Sequence, residues 1–156
     1  MQEQTLVIIK PDAITRWLSW EIMKRFEKKW LKLVACKMVS LDESVLEEHY
    51  KHLKDKPFFP SIVSYMTSSP VMLQVWEWVE VIDVVRLMIW VTNSRQAQPW
   101  TIRWDFAMSI GRNIVHASED KDAAQEEIAR FFSEEEISSY ERADEMKIYE
   151  SDELWK

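Results

Sequence analysis

Hydrophobic positions along the chain follow two periods. Leu6-Val7-Ile8-Ile9 is an unbroken apolar run, and Pro11 stops it, so Thr5 to Lys10 predicts a buried strand. Ser19 to Trp30 predicts an amphipathic helix, with Ile22, Met23, Phe26 and Trp30 at helical spacing. Lys32 to Leu41 predicts a second strand, Leu33, Ala35, Lys37 and Val39 alternating against Val34, Cys36 and Met38. Asp42 to Lys51 predicts a helix, with Ser44-Val45-Leu46-Glu47 as its capping box. Pro57-Phe58-Phe59-Pro60 breaks the chain, and Ser61 to Thr67 predicts a short helix. Val71 to Trp76 is the third expected strand. Val79 to Trp90 is a helix carrying Val81, Ile82, Val85, Leu87 and Met88. Thr92 to Asp105 is a long polar loop, and Arg112 to Ala117 the fourth strand. Asp122 to Phe132 is a helix with Ala124, Ile128 and Phe131 on one face. A short helix after Glu134 leads into an acidic tail.

This order of elements, β-α-β-(α)-β-α-β, describes a split βαβ plan of the α/β (α+β) class. It predicts four strands, mainly antiparallel, with helices packed on one side. No repeat or linker divides the chain, so residues 1–156 are expected to form a single domain. Loops as long as Thr92 to Asp105 are often functional.

Composition narrows the possibilities. The formal charge of −7 argues against a general nucleic-acid footprint. Cys36 is the one cysteine; its apolar surroundings suggest a buried thiol in a reduced compartment. Met1-Gln2-Glu3-Gln4 leads straight into a strand-like run rather than a signal peptide, and no apolar stretch is long enough to span a bilayer. A soluble, cytoplasmic protein with no membrane partner is expected. One feature is abnormal. There is a single glycine, Gly111, beside nine tryptophans, where glycine ordinarily supplies about 7 % of residues. Trp17, Trp30, Trp78, Trp90, Trp100 and Trp104 stand at turn-like places that normally use glycine. The pattern suggests deliberate depletion of glycine from an ordinary parent.

With one glycine, the Walker A loop, the protein-kinase loop and GxGxxG dinucleotide binding are all excluded. If the chain binds polyphosphate, side chains must do it. Lys10, Tyr50, Arg86, Thr92 and Arg103 are candidates, although their spacing alone proves nothing. His49 and His52 are three apart and could share a helix face, but Cys36 has no ligand-spaced partner and a His pair alone is common on solvated helices, which argues against zinc. No GxSxG nucleophile elbow exists. The acidic runs Glu134-Glu135-Glu136 and Asp144-Glu145 are most simply a solvated surface. His116 is the most informative residue. It ends the apolar run Asn113-Ile114-Val115, small and hydroxyl residues follow it, and Glu127 lies in the next helical pattern. An imidazole in that setting can act as base, nucleophile or ligand.

Several segments stand in order along the chain: Ile9-Lys10-Pro11-Asp12-Ala13, His49-Tyr50-Lys51 with Pro57-Phe58-Phe59, Thr101-Ile102-Arg103, Asp105-Phe106-Ala107, and Gly111-Arg112-Asn113-Ile114-Val115-His116-Ala117-Ser118. Over essentially its whole length the chain resembles the nucleoside diphosphate kinases. The resemblance implies a ferredoxin-like fold and reversible, ping-pong transfer of the γ-phosphate from a nucleoside triphosphate to a nucleoside diphosphate. It implies that His116 becomes a phosphohistidine, with Glu127 fixing its tautomer and Ser118 steadying Glu127. It implies phosphate contacts from Lys10, Tyr50, Arg86, Thr92 and Arg103, ribose contacts from Asn113 and Lys10, and a base stacked on Phe58. Mg²⁺ would bridge the phosphates with no direct protein ligand. The long loop would help to build a homo-hexamer, and no sequence-specific nucleic acid is implied.

The chain departs from the family's pattern where members usually carry glycine, at Trp17, Trp20, Trp30, Ser69, Trp78, Trp90, Trp100 and Trp104, and at Ala117 after His116. Trp100 and Trp104 flank Arg103, which raises the prospect of a displaced phosphate loop, reduced activity and a hexamer weakened toward dimers. A folded variant that only binds nucleotide, and a non-catalytic interaction protein, are the alternatives.

Overall fold

The computed structural model describes residues 2–143 and 148. The acidic pair Asp144-Glu145 lies outside the described residues. Strand β1 (Gln2–Ile9) runs into helix α1 (Pro11–Thr15) and helix α2 (Ser19–Lys28). Strand β2 (Lys32–Val39), helix α3 (Glu43–His49) and helix α4 (Phe59–Met66) follow. Then come β3 (Val71–Val79), α5 (Val81–Ile89), α6 (Ile102–Phe106), β4 (Val115–Ala117) and α7 (Lys121–Phe131).

The four strands form one sheet in the order β2-β3-β1-β4, with every pairing antiparallel. This is a ferredoxin-like arrangement of the α+β class. β1 sits inside the sheet, with Ile8 opposite Leu73 on one side and opposite His116 on the other. That register has a chemical consequence, because it brings the end of β1, and so Lys10, next to the strand that carries His116.

The expectation of helices on one side of the sheet is corrected. Val7 and Ile9 belong to one buried cluster with Ile22, Phe26, Trp76, Val85 and Ile89, under α2 and α5. Leu6 and Ile8 belong to another with Leu46, Met66, Leu73 and Ile128, under α3, α4 and α7. Both faces of β1 are therefore dry, which is why its sequence is continuously apolar rather than alternating. β2 is an edge strand, and Cys36 on it is exposed, not buried as its apolar neighbours suggested.

Local details also differ from the sequence pattern. Pro11 starts a helix instead of only ending a strand; it occupies the first turn, where its missing N–H is no loss. The cap of α3 is Asp42, whose carboxylate accepts from the Val45 amide, rather than a Ser44–Glu47 box. The region expected as one polar loop contains a short 3₁₀ turn at Ser94–Gln96 and helix α6. No helix among the described residues is long and apolar enough to cross a membrane.

Candidate functional site

One cavity of about 710 Å³ opens where the ends of β1 and β4 meet α3, α5, α6 and α7. Lys10, Tyr50, Phe58, Arg86, Thr92, Arg103, Asn113, His116 and Glu127 all line it. These are the residues singled out from the sequence, apart from Ser118, which is fully buried behind the wall.

His116 lies on β4, and its Nε2 is 3.1 Å from both carboxylate oxygens of Glu127 on α7. Ser118 donates its hydroxyl to Glu127 at 2.7 Å and accepts the Leu6 amide at 3.2 Å. Burial alone would push the Glu127 carboxyl up. The hydrogen bonds from His116 and Ser118 outweigh burial and hold it below the usual carboxylate range. An ionised carboxylate only accepts, so Nε2 carries a proton. Nδ1 is then left as the lone-pair nitrogen.

The approach to His116 is strained. Ile114 has φ of 62°, left-handed backbone that a β-branched residue rarely adopts. Its carbonyl accepts the Lys10 amide at 2.9 Å, which ties the two strand ends together. Val115 and His116 then fall into register with Ile9 and Ile8.

The cavity is cationic at its base. The Lys10 ammonium donates to Asn113 Oδ1 at 2.6 Å, and Asn113 in turn donates to the carbonyls of Thr92 and Ile110. Burial, aided by the positive charge of Arg103 and opposed by Asp12, lowers the Lys10 amine to about 7. Arg103 is buried and donates to the carbonyls of Trp90 and Val115, at 2.6 and 2.9 Å. Burial and the neighbouring Arg86 guanidinium lower it to about 10. Lys10, Arg86 and Arg103 crowd positive charge into one cavity, a place where a polyanion would relieve the repulsion. Tyr50 is buried beside them, its hydroxyl pushed up by desolvation. Phe58 lines the cavity and stands half exposed. The tryptophans flanking Arg103 have not moved it out of the cavity.

A metal held directly by protein is a poor fit. Ligand atoms of His49, His116 and Glu127 lie within 4.8 Å of one another. The Arg130 guanidinium, 3.4 Å from His49 Nδ1, opposes a cation there, and Glu127 is already engaged. A divalent ion that keeps its oxygen ligands from phosphate and water suits this cationic cavity better.

Sequence reasoning missed His49. The sequence offers His49 as a metal pair with His52 and as part of the motif His49-Tyr50-Lys51, with no role of its own in the site. His49 is buried, with its ring 4.8 Å from that of His116 in an edge-on contact, whereas His52 is exposed. Asp12 also received no role; it accepts a hydrogen bond from Tyr65. No spacing signal could have found the His49 contact, because it depends on how α3 packs against β4.

A sequence profile described as nucleoside diphosphate kinase matches residues 3–137. The chain is 48 % identical to a nucleoside diphosphate kinase of Parabacteroides distasonis, over 97 % of this chain and 99 % of the relative. It is 46 % identical to one from Archaeoglobus fulgidus, over 95 % of this chain and 98 % of that protein. Among solved structures, the halophilic enzyme of Halobacterium salinarum in complex with CDP has a TM-score of 0.93 and 39 % identity, covering 96 % of this chain and all of that one. A transition-state mimic of the Borrelia burgdorferi enzyme, with bound vanadate and ADP, has a TM-score of 0.87 and 36 % identity, covering 94 % and 96 %.

Proposed function

The chain belongs to the nucleoside diphosphate kinase family, and on that premise we propose that His116 is the atom carrier of its reaction, the reversible transfer of phosphate between nucleotides. In the first half-reaction His116 Nδ1 attacks the γ-phosphorus of a nucleoside triphosphate. The bond from that phosphorus to the β–γ bridging oxygen breaks, and the nucleoside diphosphate leaves with the electron pair. The proton on Nε2 stays between the ring and Glu127, whose charge offsets that of the phosphorylated imidazole. A second diphosphate enters the same cavity, and its terminal oxygen takes the phosphoryl group in the reverse sense.

The observation that carries this reading is the Glu127 carboxylate, held by Ser118 and set against His116 Nε2. That contact directs the free nitrogen's lone pair to chemistry, which a protein that only bound nucleotide would not require. Lys10, Arg86 and Arg103 hold phosphate oxygens, with Tyr50 and Thr92 as further donors. Asn113 and Lys10 hold the ribose hydroxyls. Phe58 stacks on the base through a π-face that every base possesses, so base choice is broad. No protein side chain need hold Mg²⁺, which would be carried by the nucleotide and would supply charge neutralisation beside Lys10, Arg86 and Arg103. Residues 1–156 act as one catalytic domain, in the cytoplasm, and the chain assembles into a homo-oligomer.

Incubation with γ-labelled ATP and Mg²⁺ tests this. Acid-labile label on His116, discharged by a nucleoside diphosphate, is the expected result. Equal labelling of His116→Ala would overturn the assignment of the nucleophile.

A further inference from the structure

Glu127 and Arg130 are three apart on α7 and so share a helix face, where opposite charges ordinarily pair. Here the pair is not made. Arg130 turns instead to α3, with an ion pair from Nε to Glu48 Oε1 at 3.1 Å and a contact from Nη1 to His49 Nδ1 at 3.4 Å. His49 Nδ1 also lies 3.9 Å from Glu127 Oε1, between the guanidinium and the carboxylate. Guanidinium only donates, so His49 Nδ1 is the acceptor and the ring is neutral. Burial, with the nearby charges of His116, Arg130 and Lys10 against that of Glu127, lowers the His49 imidazole to about 3, which keeps it neutral. Edge-on contacts to His116, Tyr50 and Phe131 fix the ring in place.

We propose that His49 is a positioning residue that holds Arg130 off Glu127, so that the carboxylate remains on His116 and Ser118. Without the Nδ1 acceptor, Arg130 would swing to its helical neighbour. Glu127 would then turn from His116 Nε2, and Nδ1 would lose its fixed tautomer. This rests on the reading of His116 as the phosphate carrier and Glu127 as its orienting group.

Three variants of the full chain test it in single-turnover labelling with ATP and Mg²⁺, each checked by thermal unfolding. His49→Phe keeps a ring but removes the acceptor. It is expected to slow phosphorylation of His116 about tenfold, the size usual for loss of a group that orients a functional histidine, with little change in the concentration of ATP needed for half-saturation. His49→Gln keeps a side-chain acceptor and is expected to stay close to the parent rate. The pair His49→Phe with Arg130→Leu removes the competitor along with the guard and is expected to recover most of the lost rate, a non-additive outcome. A structural role for His49 would give no such rescue. If His49→Phe does not fold, Glu48→Gln loosens Arg130 from its other anchor, and a slowing that Arg130→Leu reverses supports the same conclusion. An unslowed His49→Phe, or a double variant as slow as the single one, overturns the proposal. A parent chain that takes up no label on His116 overturns instead the reading on which it rests.

Discussion

His116 Nε2 stands 3.1 Å from each oxygen of the Glu127 carboxylate, while Ser118 donates to the same group at 2.7 Å. Glu127 thus serves one ring nitrogen and frees the other. Glu127→Gln keeps the shape but removes the charge that offsets a phosphorylated imidazole. Turnover is expected to fall about ten- to a hundredfold, as when other histidine-orienting carboxylates are lost, with the melting temperature nearly unchanged. Steady-state kinetics and calorimetry check this, and an undiminished rate removes Glu127 from the mechanism.

Lys10 gives a pH dependence with a definite sign. Its amine titrates at about 7 when the cavity holds no anion, because burial and Arg103 disfavour its charge. A polyphosphate favours the charged form and raises that value. Above about pH 7 nucleotide binding therefore takes up a proton, and affinity falls as pH rises, by at most about tenfold per unit while Lys10 is neutral free and charged bound. Titration calorimetry of ADP in two buffers of different ionisation enthalpy measures the proton directly. Lys10→Met should abolish the uptake.

The linked stability effect follows from the same shift. The unfolded chain holds the Lys10 proton up to the ordinary lysine value of 10.5, the folded chain only to about 7. Below 7 both states hold it, and the cost of the buried charge to folding is fully present. Between those limits the cost shrinks as pH rises, so Lys10→Met should stabilise the chain more at pH 6 than at pH 10. Denaturant midpoints of parent and variant at the two pH values check the sign.

Much of the site is legible in the sequence. Lys10, Asn113 and His116 lie in short motifs whose neighbours are apolar, so strand ends had to present them. The unbroken run Leu6 to Ile9 could also have revealed a strand buried on both faces. His49 was not legible, since its partners Glu127 and Arg130 reach it only through helix packing. Cys36 misled because an apolar run at a sheet edge turns alternate residues outward. Composition pointed to glycine-like positions, but not to which of them have glycine's backbone. Trp17, Trp30, Trp90 and Trp100 have φ between 64° and 73°, whereas Trp20, Trp78 and Trp104 do not have positive φ. Gly111, the one glycine, does not have positive φ either, and a Cβ added there would meet nothing within 4 Å.

Three of those tryptophans carry a stability prediction. Left-handed backbone strains any residue with a Cβ, by about 1 kcal/mol or more. Trp17→Gly, Trp30→Gly and Trp100→Gly should each raise the melting temperature by about 2–4 °C, the shift expected per kcal/mol for a chain of this size. Trp78→Gly should not. Trp78 lies in β3 and is buried in the core, so glycine there opens a void. Scanning calorimetry of the four variants decides, and an equal rise for Trp78 would show that backbone strain is not the cause. Exchange of glycine for tryptophan at several such sites is also what two readings of one codon would produce. Protein isolated from its own source cell is expected to carry glycine there, which an intact mass checks.

Assembly gives the last prediction. Trp100 is 88 % exposed at the tip of the segment before α6, and Trp104 on α6 is 46 % exposed. The segment itself is anchored: Arg25 bridges Asp105 at 2.6 Å and reaches the Trp100 carbonyl at 3.4 Å. The indoles therefore cannot retreat by letting the loop swing away. The family resemblance implies that this loop would pack subunits into a hexamer, and a packed interface resists the added volume of an indole. Left uncovered, the same rings form an apolar patch that favours irregular association. Sedimentation velocity at micromolar concentration should therefore show dimers or mixed species rather than one sharp hexamer. Trp100→Gly together with Trp104→Gly should shift the distribution toward a single larger species. Activity need not follow in proportion, because Arg103 stays in the cavity through its bonds to Trp90 and Val115. A homogeneous hexamer in the parent would show that the interface accommodates both rings, and the volume argument would then fail.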